Sequence, residues 1–169
     1  MKNLLFTLLV LVLSLSTAYS QYSFRDQDIS IQWDCSPQFN QKIKNTSYYT
    51  CNYQKAGEGY IFSVSVNDLS KDLARFASAE EAYKSSFLAK IKEGAISSGD
   101  KLISTGQILG QNSVQYYSIT KVDAELTLKG FTAAFIVGKN AYMVNLVGDM
   151  QNPKVEAEFL TLVKSIKSN

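Results

Sequence analysis

The chain has 169 residues, 17 of them basic and 15 acidic, with a formal net charge of +2. The two signs are interspersed, so the surface has no field suited to a polyanion, and nucleic acid is not expected as a partner. Histidine is absent, which excludes Ser-His-Asp and Cys-His catalysis and histidine metal sites within the chain, while carboxylate or lysine chemistry remains open.

Residues 1–20 have the form of a cleaved secretory signal peptide. Lys2 supplies a positive start, residues 4–13 form an apolar run, and Ala18-Tyr19-Ser20 places small residues at −3 and −1 of a cut before Gln21. The apolar run is too short to span roughly 30 Å of hydrocarbon at about 1.5 Å per helical residue. No cysteine stands at the cut, so lipid anchoring is not expected. The folded unit is therefore read as one domain over residues 21–169. It is exported, periplasmic or secreted, with no stable membrane anchor after cleavage.

Both cysteines, Cys35 and Cys51, fall in this unit. An even pair in an exported chain reads as a structural disulfide. There is no C-x-x-C, and two cysteines without histidine make a poor zinc site.

Ile29-Ser30-Ile31-Gln32-Trp33 alternates with period two and predicts a strand. A polar loop is expected next, containing Asn40, Gln41, Lys42, Lys44 and the glycosylation sequon Asn45-Thr46-Ser47. Residues 48–53 predict a second strand, rich in aromatic and β-branched residues. Pairing of these two strands would bring Cys35 and Cys51 within bridging distance. Ala56-Gly57-Glu58-Gly59 reads as a turn, and residues 60–66 as a third strand, with Ile61, Ser63 and Ser65 on one face and Tyr60, Phe62, Val64 and Val66 on the other.

Ser78-Ala79-Glu80-Glu81 is a capping-box pattern that opens a helix. Tyr83, Phe87, Ile91 and Ala95 form its apolar stripe, and Ser98-Gly99 stops it. Four strands are predicted at 101–109, 113–122, 126–137 and 141–147. Their short turns make them an antiparallel meander. Ala133-Ala134-Phe135-Ile136-Val137 is apolar on both faces, which predicts a sheet covered on both sides. A closing helix is expected over 153–167, capped by Asn152, with Val155, Phe159, Leu162, Val163 and Ile166 as its buried stripe.

Gly59–Val66, the helix start Ser78–Tyr83, Asn140–Leu146 and Phe159–Ile166 carry a resemblance that spans most of residues 28–167. The order of elements is similar to that of the PsbP photosystem subunits, the Ran-binding Mog family and the bacterial DcrB-like exported proteins. The resemblance implies an α+β fold of the α/β/α sandwich type. Its antiparallel sheet would have about six or seven strands covered by helices, in the order βββ-α-ββββ-α. It further implies a non-catalytic binding or accessory role and transfers no functional residue.

Of the ten tyrosines, Tyr48, Tyr49, Tyr53, Tyr116 and Tyr117 are the candidate interaction surface. Adjacent tyrosines on a strand point to opposite faces, so one of each pair is a candidate for protein or glycan recognition, with ordinary strand packing as the alternative reading. Asp26, Asp28, Asp34 and Glu58 lack the D-x-D-x-D-G spacing of a calcium loop and read as solvated surface, so no metal or cofactor is expected. The leading expectation is a non-enzymatic exported binding or accessory protein that recognises another protein. The alternatives are an inhibitor or immunity protein against a toxin or hydrolase, a carboxylate-dependent hydrolase, and a carrier of a small apolar ligand between helix and sheet.

Overall fold

The computed structural model describes residues 22–169. The signal-peptide reading of residues 1–20, and the cut before Gln21, lie outside the described residues. The described chain opens with an antiparallel hairpin, β1 (Tyr22–Arg25) and β2 (Ile29–Trp33). The Asp26 carboxylate closes its turn by accepting the backbone N–H groups of Asp28 and Ile29, each at 2.9 Å. Ile29, Ile31 and Trp33 are buried while Gln32 is exposed, the period of two that the sequence carries.

Three long antiparallel neighbours follow: β3 (Gln38–Ile43), β4 (Thr46–Lys55) and β5 (Glu58–Asp68). Ala56 and Gly57 turn the β4–β5 hairpin with φ of 52° and 85°. A two-residue turn with both φ positive matches the right-handed twist of its strands, and glycine enters that region without strain. Then come α1 (Ser70–Arg75), a 3-10 turn (Ala77–Ala79) and α2 (Glu80–Ser97). The meander consists of β6 (Lys101–Ser104), β7 (Gln107–Ile108), β8 (Gln111–Lys121), β9 (Thr127–Val137) and β10 (Asn140–Asp149). Helix α3 (Val155–Lys164) and the short β11 (Ile166–Ser168) close the chain.

The strands form two sheets. Eight strands make the larger, in the order β3-β4-β5-β10-β9-β8-β6, with β7 also paired to β8. The smaller is β1-β2-β11. The small sheet and α3 cover one face of the large one. Ile29, Ile31, Phe159, Leu162 and Ile166 meet Phe62, Phe131, Phe135, Val144 and Leu146 there in the main core. Fully burying each of these side chains is worth about 1.5–3 kcal/mol. On the opposite face α1 and α2 lay Leu69, Leu73, Leu88 and Ala95 against Val114, Ala134, Ile136 and Ala141 in a second, smaller core.

This architecture corrects the expected α/β/α sandwich of order βββ-α-ββββ-α. The protein is mostly antiparallel β, with eleven strands among the described residues, and much of one cover is itself a sheet. Strands apolar on both faces demand two covers, but the demand does not specify whether helix or strand supplies them. Three local readings change with it. The polar stretch expected as a loop is the edge strand β3, all of it exposed. β2 pairs with β1 and β11 rather than with β4. The closing helix ends at Lys164, so Ile166 enters the core from a strand.

Two caps also differ. Ser78 lies in the 3-10 turn and α2 starts without a side-chain cap. Glu80 and Glu81 instead pair with Lys84 at 2.6 and 3.1 Å. Asn152 does not cap α3. Its amide donates to the Tyr60 hydroxyl at 2.8 Å and its carbonyl accepts the Lys154 N–H at 2.9 Å. Helix α3 approaches β10 at Gly148, where an added Cβ would stand 2.7 Å from a Val155 methyl.

The disulfide is present. Cys35 and Cys51 are bonded, with their Cα atoms 6.2 Å apart. Since β2 and β4 belong to different sheets, the bond staples one layer to the other.

Two predictions follow from this packing. Replacing both cysteines by serine should lower unfolding free energy by about 3 kcal/mol, the chain-entropy value for a loop of this length, read by urea titration against the oxidised protein. Gly148→Ala should cost about 1–3 kcal/mol by forcing α3 off β10, whereas Gly59→Ala, whose added Cβ meets nothing within 4 Å, should cost far less in the same titration.

Candidate functional site

Helix α2 does not cover its face of the large sheet evenly. It lies over β6, β8 and β9 and leaves the β4 and β5 side bare. In a pleated sheet, directly paired residues share a face, so the register gives the floor of the bare region row by row. One row runs Thr50, Ser63, Asn145, Thr132, Tyr116 across β4, β5, β10, β9 and β8. The next runs Tyr48, Ser65, Met143, Ala134, Val114 across the same strands. The second row turns apolar where α2 covers it and polar where the helix ends its reach.

The first row is hydrogen-bonded from Ser63 to Tyr116. The Thr132 hydroxyl donates to the Asn145 carbonyl oxygen at 2.7 Å, and the Asn145 amide donates to the Ser63 hydroxyl at 3.3 Å. Tyr116 sits against Thr132. Burial raises its phenol pKa and the hydrogen bond to Thr132 opposes that in part. Asn145 is thereby held in one orientation, with both ends of its amide engaged.

Between this floor, the side of α2 and strand β3 lies a cleft of about 460 Å³. Asn40 and Gln41 of β3 form one wall, and Phe87 and Ile91 of α2 form the other. None of its lining residues is Asp, Glu, Lys or Arg.

The structure divides the sequence-selected tyrosines. Tyr48 is on the cleft floor and Tyr116 continues that face beneath α2. Tyr49, Tyr53 and Tyr117 point to the other face, against the main core. Tyr49 packs edge-on to Phe24 and Phe39 at 5.1 and 5.7 Å. Tyr53 accepts a hydrogen bond from the Trp33 indole at 3.0 Å and stacks on Tyr60 at 5.1 Å. Burial raises its phenol pKa. Tyr117 lies under the Lys129 ammonium, 4.4 Å from the ring centre.

The four acidic candidates are likewise separated. The Tyr142 hydroxyl donates to Asp26 at 2.6 Å, with Asp28 at 3.2 Å, and Asp28 also accepts the Asn140 amide at 2.7 Å. Asp34 instead pairs with Lys55 at 3.0 Å, and Lys55 reaches Glu158 at 2.8 Å. Glu58 is exposed at the start of β5. Among the described residues, no three of Cys, Asp and Glu converge as a metal-ligand set.

Sequence reasoning missed Phe87 and Ile91 as cleft residues, because the apolar stripe assigned them to the core. They are half-buried, and Leu88 and Ala95 are the buried positions of α2. The alternation Ser63-Val64-Ser65 did mark a polar face on β5. Asn145, a lone amide inside an apolar strand, was the other available signal.

No family model matches the sequence, and no curated protein matches it. A solved structure from Bacteroides thetaiotaomicron is similar in shape, with a TM-score of 0.49 and 11% identity, covering 88% of this chain and 49% of that one. The chain thus spans about half the length of that structure.

The Tyr142 phenol, bonded to Asp26 and Asp28 on the core side of the sheet, carries a pH signature. Burial is the largest cause of its raised pKa, followed by its hydrogen bond to Asp26 and the charges of Asp26 and Asp28. The folded chain holds the proton while the unfolded chain releases it near the ordinary value of 10.0. The stability this contributes is complete below that value and is lost as pH rises above it, by up to about 1.4 kcal/mol per pH unit. Tyr142→Phe should therefore cost about 1.5–3 kcal/mol at neutral pH, by removing a hydrogen bond to charged carboxylates that keep their other donors, and should lessen the decline of stability above pH 10, to which Tyr53 and Tyr116 also contribute. Urea titrations across pH 7–11 measure both.

Proposed function

We propose that this chain is an exported, non-enzymatic binding module that recognises another protein. The observation that carries the reading is the edge strand β3. All six of its residues are exposed, and Phe39 and Ile43 turn 59% and 50% of their surface to solvent. Edge strands are normally blunted by charge, bulges or cover. β3 has a bulge between Phe39 and Gln41 and a lysine at position 42, yet it leaves one large apolar side chain exposed on each face, Phe39 beside Tyr49 and Ile43 beside Thr46. Lys42 and Lys44 flank Ile43. The complementary partner surface has apolar contact points bordered by acidic groups, and it adds its backbone alongside β3.

Two further features support the reading. The cleft beside β3 has no carboxylate, amine or thiol in its lining, so it holds no acid–base pair for hydrolysis. The Cys35–Cys51 disulfide suits an oxidising compartment. No described helix is long and apolar enough to cross a membrane.

Photo-crosslinking side chains placed at positions 39, 43 and 160 test this in the native compartment. Leu160, 41% exposed on α3, is an equally apolar control on the far layer. Positions 39 and 43 should give one adduct of the same mass, and position 160 none. The double variant Phe39→Ser, Ile43→Ser should lose partner retention while its stability stays within about 0.5 kcal/mol, as surface changes do. Equal labelling at all three positions, or none at 39 and 43, would refute the reading.

A further inference from the structure

We propose that the cleft between α2 and the bare half of the large sheet is a binding site for a neutral, polyhydroxylated ligand, a saccharide. This is a second site, which shares Asn40 and Gln41 of β3 as one wall but does not depend on the protein-recognition reading.

No ion-bearing side chain lines the cleft, so neither an anion nor a cation would be neutralised there. Its polar content is neutral and two-sided. Asn40, Gln41 and Asn67 each present a donor and an acceptor on one planar amide, and Asn145 keeps one N–H and one carbonyl lone pair beyond its bonds to Ser63 and Thr132. That spacing serves two adjacent hydroxyls of one ring, one donating and one accepting. Thr46, Thr50, Ser63 and Ser65 add hydroxyls that donate or accept as the ligand requires.

The apolar content fits the same ligand. Phe87 and Ile91 stand on one side and Met143 and the Tyr48 ring lie on the floor. A sugar ring has a C–H face and a rim of hydroxyls, and a site with an aromatic body and an amide rim matches both. The volume, about 460 Å³, lies in the range of small-molecule sites. Asn145, fixed by Thr132 and Ser63, supplies a polar group that is already oriented before the ligand arrives.

Two other ligand classes fit less well. An apolar carrier ligand would bury these amides and hydroxyls without partners, which is unfavourable for each of them. A polypeptide backbone pairs with a sheet at its edge. The floor here is a sheet face whose backbone groups are already bonded to neighbouring strands, so only side chains meet the ligand.

The test is binding of the full exported chain, disulfide intact, to an array of neutral oligosaccharides. Sialylated and sulfated oligosaccharides, palmitate and an uncharged peptide serve as comparison probes. A neutral saccharide should bind, Tyr48→Ala should weaken it about tenfold, and Asn67→Ala should weaken it several-fold, in line with the loss of one ring contact or one hydrogen bond. Leu160→Ser on the opposite layer should leave it unchanged. The Met143 methyl resonance should shift with saturation at the same affinity. Four results would overturn the proposal: no neutral saccharide binds, only charged sugars bind, palmitate or peptide alone moves the Met143 methyl, or Tyr48→Ala leaves affinity intact. Crosslinking at position 39 without saccharide binding would sink this site while sparing the edge reading, and the reverse outcome would do the opposite.

Discussion

Strands β9 and β10 are apolar along one face and, over Ala134, Ile136 and Ala141, on the other as well, and the rest of the structure depends on covering both. Phe131, Phe135, Tyr142, Val144 and Leu146 are fully buried toward one side, and Ala134, Ile136 and Ala141 are buried toward the other. The two sides differ in bulk. The side with phenylalanine and leucine needs a thick partner and receives a second sheet and a helix. The side with alanines accepts only a close-lying helix, and α2 covers just part of it. The cleft is the remainder of that incomplete cover.

A cover made of a small sheet has little surface of its own, so it is tied down at several points. The Cys35–Cys51 bond joins the bend just after β2 to β4. Lys55 bridges Asp34 beside β2 and Glu158 on α3, with its ammonium 5.7 Å from the Trp33 ring centre. These are partly exposed ion pairs, and each contributes little energy alone. Their value is positional, since they fix β2 and α3 over one end of β4. At the other end of the small sheet, Asp26 and Asp28 hold the Tyr142 hydroxyl, and Asn169 bonds the backbone of both aspartates at 2.6 and 3.1 Å. The last residues of the chain thus lock the first described hairpin.

The binding surfaces arise where these covers stop. β3 extends beyond the small sheet and keeps its outer edge free, which leaves Phe39 and Ile43 exposed. The cleft lies between β3 and α2, and its chemistry follows from strand alternation. On β5, Phe62 and Val64 serve the core while Ser63 and Ser65 face the cleft. The same backbone therefore supplies the main core on one side and the site on the other.

Much of this was legible in the sequence, residue by residue. The alternations of β2 and β5, the turns of the meander and the double-faced apolar character of β9 follow from local side-chain chemistry and strand geometry. The spacing and context of Cys35 and Cys51 were enough to read a disulfide. What the sequence left open was contact between segments far apart in the chain. Three residues after α3 carry no strand signal of their own, and Ile166–Ser168 become β11 only because β2 offers an unpaired edge beside them. The polar run Gln38–Ile43 is a strand because β4 templates it. Phe87 and Ile91 read as core by helical period, but how far a helix slides across a sheet is set by packing against Val114 and Ala134, not by period. Local pattern determined which residues must be buried and where the chain turns. Tertiary packing decided which segments cover them, and so where the surface stays open to bind.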